Sequence, residues 1–193
     1  MNNRQLQALN TKNKIVDAAM KLSEKYGYED MSIQMICEKA GISTGAFYHH
    51  FKGKQDLIVA GYSSCDDYFR ENIFNNLEKK DIREKILEYL DFQMKYALII
   101  GIDLMTQVYR VQITEGTSFF LDKQRELPKG LENLIEEAKN TGEIDKKVNV
   151  EAITDEILVI SRGIIYNWCL HKGDFDLRKR CYDIMSKYLC AYF

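Results

Sequence analysis

Residues 41–51 read Gly-Ile-Ser-Thr-Gly-Ala-Phe-Tyr-His-His-Phe, small residues and hydroxyls followed by a dense aromatic and imidazole cluster. At helical spacing the stretch separates into two sides. Phe47 and Phe51 are four apart and predict an inward face, while Thr44, Gly45, Tyr48 and His49 lie on other sides of the same short helix. Ser43 is a natural N-cap for that helix, which runs to about His50 and is too short to be stable in water without neighbours. The neighbours precede it in sequence. Ser32 caps a run in which Ile33, Ile36, Cys37 and Ala40 recur at helical spacing, and Gly41 closes it where a left-handed turn costs little. Earlier still, Ile15, Ala18, Ala19, Leu22 and Tyr26 share one face of a helix predicted to start after a polar leader of residues 1–10, with Asn10 or Thr11 as cap, and to end at Gly27. Two short helices joined through Ala40-Gly41-Ile42 form a helix-turn-helix, and Ile15, Ala18, Leu22, Ile36, Ala40, Ile42, Phe47 and Phe51 supply a small core that sets the angle of the second helix.

Composition bounds the chemistry. With 193 residues, 46% of them hydrophobic and one proline, the chain is long and apolar enough for one or two compact domains. The formal net charge is −2, so no overall basic excess points to nucleic acid; residues 1–60, however, carry eight Lys/Arg against six Asp/Glu, a local balance of +2. Five scattered cysteines, mostly inside apolar helical patterns, argue against a disulfide framework or zinc site and for reduced core residues. No apolar run approaches the roughly 20 residues that cross a bilayer, and no signal peptide is evident, so the expectation is a cytoplasmic chain with no membrane partner.

Beyond residue 52 the pattern stays helical and becomes more aromatic. Gly53 introduces a long helix with the stripe Leu57, Ile58, Gly61, Tyr62, Cys65 and Phe69. Further helices are predicted over 82–100, 102 to about 115, 127–141, about 150–171 and about 175–192, and Phe119-Phe120-Leu121 is the one ambiguous run. Period-two alternation and hairpin dipeptides are nearly absent. The prediction is an all-α chain of about nine helices, divided into a helix-turn-helix head, residues 1–52, and a helical domain, residues 53–193, for which the resemblance drawn below implies effector binding and dimerisation.

A helix-turn-helix lays its first helix across the DNA backbone and its second in the major groove. Thr44 can bond a base edge or phosphate, Gly45 and Ala46 permit close approach, Ala46 offers a methyl to thymine, and Tyr48 and Lys54 suit phosphate oxygens. The ordered set Ile15, Ala18, Ala19, Leu22, Tyr26-Gly27, Met31-Ser32-Ile33, Ile36-Cys37, Ala40-Gly41-Ile42-Ser43, Gly45, Phe47-Tyr48, His50-Phe51, Lys54 and Leu57 resembles the N-terminal domain of TetR-type transcriptional repressors. That resemblance implies phosphate contacts at Tyr48 and Lys54, groove contacts at Thr44, Gly45, Ala46 and His49, a role for Ser32 and Gln34 at the start of the backbone-crossing helix, Ser43 beside them, and a packing role for His50. Cys37 stands where that family usually has Ala, and Gly53 where it more often has Ser.

Over the rest of the chain the likeness is a loose cadence, Leu131, Leu134-Ile135, Ala138, Gly142-Glu143-Ile144 and Gly163. Residues 152–170 are apolar almost all round, which predicts a helix buried on two sides, one of them against a second copy. Ile153, Ile157, Ile160 and Ile164, with Cys181, Ile184 and Tyr188 of the last helix, are the candidate dimer interface. Phe92, Tyr96, Met105, Tyr109, Phe120 and Trp168 are candidates for an effector pocket of the kind the resemblance implies, with Gln107, Arg110 and Arg162 as polar groups near it; any one of these residues is as well explained as core.

The enzyme reading has little to rest on. His49 and His50 are adjacent and diverge by about 100° on a helix, Cys169 and His171 point nearly opposite ways, and no nucleophile motif or phosphate loop is present, so neither catalytic nor metal residues nor a cofactor are expected. The reading is a homodimeric repressor that a small, largely apolar effector releases from palindromic double-stranded operator DNA. An activator, an effector-independent regulator of the same fold, or an interaction protein that binds no DNA are the alternatives.

Overall fold

Every regular element in the computed structural model is a helix, over the residues it describes: 3–62, 64–72, 77, 81–114 and 118–193. They are α1 (Asn3–Tyr26), α2 (Ile33–Ala40), α3 (Thr44–His50), α4 (Lys54–Tyr62), α5 (Ser64–Asn72), α6 (Ile82–Ile100), α7 (Ile102–Thr114), α8 (Glu126–Thr141), α9 (Val150–Leu170) and α10 (Leu177–Leu189), with a 3-10 turn at Ser118–Phe120. The stripe from Leu57 to Phe69 falls on α4 and α5, either side of residue 63. Taking that pair together as the sequence does, the α-helices number nine among the described residues, and the all-α class holds.

The stop and start signals explain most boundaries. Ser32 Oγ accepts the Met35 N–H at 3.2 Å and Ser43 Oγ the Ala46 N–H at 3.1 Å, each satisfying one of the orphan donors of a helix start. Gly41 (φ 68°) returns its N–H to the end of α2 in the left-handed conformation that only glycine adopts cheaply. Asp81, Asn149 and Asp176 cap α6, α9 and α10 in the same way. The predicted start of α1 is corrected. The leader is helical from Asn3, and Thr11 lies inside the helix, its hydroxyl donating to the Gln7 carbonyl at 2.9 Å instead of capping. No proline or glycine interrupts residues 3–14, so nothing stops the helix from propagating backward. At the start of α4 the Asp56 carboxylate reaches back to accept the Lys52 N–H at 2.7 Å, fixing the chain as it enters the helix.

The chain forms two compact units, Met1–Ser64 with Asp103–Phe120, and Cys65–Ile102 with Leu121–Phe193. The first therefore reaches beyond residue 52, taking in α4 and nearly all of α7. In it α1 packs on α2 and α4, and α2 on α3, around fully buried Ile15, Ile36 and Phe47. Ala18, Leu22 and Phe51 join that core as expected, whereas Ala40 and Ile42 are half-buried at its edge.

In the second unit α6 packs on α8 and α10, and α9 lies against both. The tightest crossing is Tyr89 over Gly130. The Tyr89 hydroxyl donates to the carbonyls of Glu126 and Leu127 at 3.1 and 3.0 Å, and a Cβ at residue 130 would stand 2.8 Å from its Cζ and nearer still to its Oη. Burial pushes that phenol far above its ordinary pKa, so the hydroxyl remains a donor. The Asp66 carboxylate binds Arg125 Nε at 3.1 Å and the Glu126 N–H at 3.2 Å, tying α5 to the start of α8. Among the described residues no helix is long and apolar enough to cross a membrane.

Candidate nucleic-acid interface

The predicted inner and outer sides of α3 separate cleanly. Phe47 is fully buried, its ring 5.8 Å from that of Phe51, while the adjacent Tyr48 is 55% exposed and meets Phe47 edge-on at 5.4 Å. Burial on one side thus fixes a rigid phenol on the other. Ser43, Thr44, Gly45 and His49 are exposed, Ala46 is half-buried, and Ser32 and Gln34 are exposed at the start of α2, where Gln34 Nε2 donates to Glu38 Oε1 at 3.1 Å. The Ser32 and Ser43 oxygens accept from their helices, which leaves each hydroxyl proton available to an acceptor such as a phosphate. His50 is half-buried. Burial first, then the nearby His49 and Lys12, hold its imidazole below the usual histidine range, in keeping with a packing role.

Lys54 is a correction. Its ammonium donates to three main-chain carbonyls, those of Met31 at 2.7 Å, Tyr28 at 3.1 Å and Glu29 at 3.3 Å, and stands 4.7 Å from the centre of the buried Tyr28 ring. All three of its protons are thereby engaged, and the side chain pins the loop between α1 and α2 instead of facing a phosphate. The same loop is held from another side, since Glu29 accepts from Arg110 at 3.2 Å and from Gln107 at 3.4 Å. Those two polar residues of α7 thus serve the head, not an effector. Residues separated by 26 and 81 positions meet here, and no local pattern in the sequence signals it.

The remaining candidates distribute differently from expectation. Tyr96 and Trp168 are buried and Phe92 half-buried in the second unit, whereas Met105, Tyr109 and Phe120 belong to the first, where Tyr109 and Phe120 meet edge-on at 5.3 Å. As six residues of one lining they are not gathered in one unit. The second unit has an open cavity of about 570 Å³ between α6 and α10, lined by Leu87, Asp91, Arg178, Cys181 and Tyr182 among others, and one of about 270 Å³ beside Tyr89 and Gly130; none of the six lines either. One polar residue that the sequence reading passed over is Gln93, 3% exposed in α6.

The dimer candidates also need correction. Ile153, Ile157, Ile164 and Cys181 are buried within their own unit and so are not available to a partner; Ile160 and Tyr188 are half-buried and Ile184 is exposed. The periodicity found the helix but not which of its two apolar sides faces outward. That side carries Val159, Tyr166 and Leu170, at 69, 43 and 61% exposure. Among the described residues no three His, Cys, Asp or Glu side chains gather as metal ligands, and all five cysteines are unbridged.

Residues 15–60 match the family model described as bacterial regulatory proteins, tetR family. Over 168 residues, 84% of this chain and 86% of the relative, the sequence is 23% identical to the fatty acid metabolism regulator protein of Bacillus subtilis (strain 168). Two solved structures share the fold over most of their length. The transcriptional regulator FadR from Bacillus subtilis, in complex with stearoyl-CoA, superposes with a TM-score of 0.63 at 18% identity, covering 90% of this chain and 95% of that one. FadR from Thermus thermophilus, a TetR-family repressor in complex with lauroyl-CoA, does so with a TM-score of 0.75 at 14% identity, covering 93% of each.

Proposed function

We propose, from the chain's membership of the tetR family of bacterial regulatory proteins, that it is a homodimeric repressor that binds a palindromic operator and leaves it when a long-chain acyl thioester of coenzyme A binds. The observation that carries the DNA-binding part is the contrast within α3, a fully buried Phe47 next to an exposed Tyr48, with Ser43, Thr44 and His49 exposed beside it. A groove reader needs this division, because side chains discriminate bases only when the helix that bears them is held at one angle. Binding is measured on DNA upstream of the chain's own gene. Tyr48→Phe is expected to weaken it about fivefold on every sequence, the loss of one phosphate hydrogen bond. Thr44→Ala and Ala46→Ser are expected to change which operator bases are preferred. Absence of any palindrome-specific binding by the wild type at low salt would refute the proposal.

Dimerisation is supported by the outward side of α9. Ala152, Glu156, Val159, Gly163, Tyr166 and Leu170 alternate at spacings of four and three, a single exposed stripe, and the space above Gly163 is open enough for a second helix to approach closely. Tyr182 and Ile184 of α10 are exposed as well, at 53 and 38%. Two copies joined this way would present two α3 helices to successive major grooves, about 34 to 36 Å apart. Val159→Glu should convert a dimer into a monomer in sedimentation velocity without loss of helicity, because Val159 supports no core; a variant that stays dimeric relocates the interface. The acyl-CoA reading rests on the two similar structures that hold stearoyl-CoA and lauroyl-CoA and on a relative named for fatty acid metabolism.

A further inference from the structure

Buried side-chain amides are costly unless their hydrogen bonds are made, because the acceptor gives up water for nothing. In the second unit Thr154 and Ser161 avoid that cost by donating to the carbonyls of Val150 and Leu158 in their own helix, at 2.8 and 3.3 Å. Gln93 does not. It is 3% exposed, and no donor among the described residues reaches its Oε1. Its place on α6 is specific. Tyr89, Gln93 and Tyr96, four and three residues apart, share one side of the helix, and the two tyrosines show what that side faces: the Tyr89 ring lies 5.4 Å from Phe69 and the Tyr96 ring 5.0 Å from Tyr68, both on α5. Tyr89 cannot supply the missing proton, since its hydroxyl is committed to the carbonyls of Glu126 and Leu127.

We infer that Gln93 is the polar anchor for the effector, its side-chain carbonyl accepting a hydrogen bond from a hydroxyl or amide N–H on an otherwise apolar molecule lodged against the aromatic side of α6. This rests on the effector-released reading above and adds to it a requirement that apolar bulk alone does not make: the ligand must carry a donor. An acyl-CoA meets it through the amide N–H groups of its pantetheine arm, next to the thioester that joins the chain. A fatty alcohol meets it through its hydroxyl, and a fatty acid methyl ester does not meet it. Discrimination of this kind is strong because a ligand without the donor leaves a buried oxygen unpaired.

The test compares wild type with Gln93→Met, which keeps the length of the side chain and removes the amide, on three probes: lauroyl-CoA, dodecanol and methyl laurate. Thermal unfolding of each protein alone is followed by titration with each probe. Free Gln93→Met is expected to melt at or above the wild-type temperature, since it loses an unpaired acceptor. Lauroyl-CoA and dodecanol should each bind it about tenfold more weakly, and methyl laurate no more weakly than it binds the wild type. Equal weakening of all three probes, or a marked drop in the melting temperature of the free variant, overturns the assignment, the second because it means that Oε1 is already satisfied, as by an internal water. Should lauroyl-CoA not bind while the wild type prefers dodecanol over methyl laurate and Gln93→Met does not, the acyl-CoA reading fails and the Gln93 assignment stands. Conversely, lauroyl-CoA binding both proteins equally, with no preference for dodecanol, overturns Gln93 and leaves the acyl-CoA reading in place.

Discussion

Lys54→Met is expected to destabilise the DNA-binding head by about 2 to 3 kcal/mol, the cost of leaving part-buried carbonyls without a charged donor. Three bonds run from the ammonium to carbonyls of the loop between α1 and α2, those of Met31, Tyr28 and Glu29, and the ammonium lies over the buried Tyr28 ring. Methionine is unbranched and of similar length but uncharged, so the loss reports the hydrogen bonds of the ammonium together with its contact on the ring. DNA affinity should fall on every sequence, because a loosened loop no longer fixes the start of α2, yet the dependence of affinity on salt should be unchanged. A lysine that neutralised a phosphate would behave in the opposite way, leaving the melting behaviour alone and reducing the salt slope by about 0.9. Urea unfolding followed by helicity, with DNA titrations at two or three salt concentrations, separates the two roles.

Gly130→Ala carries the second large effect. In a mid-helix position alanine is ordinarily better than glycine by about 1 kcal/mol, so the substitution would stabilise α8 if there were room. There is none, because the new methyl would stand 2.8 Å from Tyr89 Cζ. Relief requires Tyr89 to swing away and abandon the carbonyls of Glu126 and Leu127. The expected net loss is about 2 to 3 kcal/mol, overpacking and a buried phenol hydroxyl parted from its acceptors set against the gain in propensity. Tyr89→Phe removes the oxygen that lies nearest. In combination with Gly130→Ala it should lose clearly less than the sum of the single variants, a coupling of about 1 kcal/mol or more measured by a double-mutant cycle in urea. Strict additivity would mean that the two residues do not meet.

What the sequence made legible follows the range of the interactions involved. Helix ends depend on residues within a few positions, so Ser32, Ser43, Gly41 and Gly142 announce themselves, and the inward pair Phe47 and Phe51 identifies the outer side of α3 by elimination. Periodicity also located α9. It could not assign the two apolar sides, because Ile157 and Val159 are equally apolar and only the packing of α8 and α10 decides that the first is buried and the second exposed. Lys54 misled for a related reason. A cation at the start of a helix suits phosphate chemistry, and nothing local reveals three carbonyls folded beneath it from 23 to 26 residues away. Gln93 was invisible as a polar letter between Phe92 and Met94, since only burial makes an amide conspicuous.

The one tryptophan of the chain, Trp168, is 6% exposed in α9, its ring approached closely by Gly173 and wholly within the second unit. Its emission is therefore a spectroscopic reporter for that unit alone. Far-ultraviolet dichroism reports the helices of both units, so the two signals, recorded together on one sample, resolve whether the chain unfolds in one step or in two.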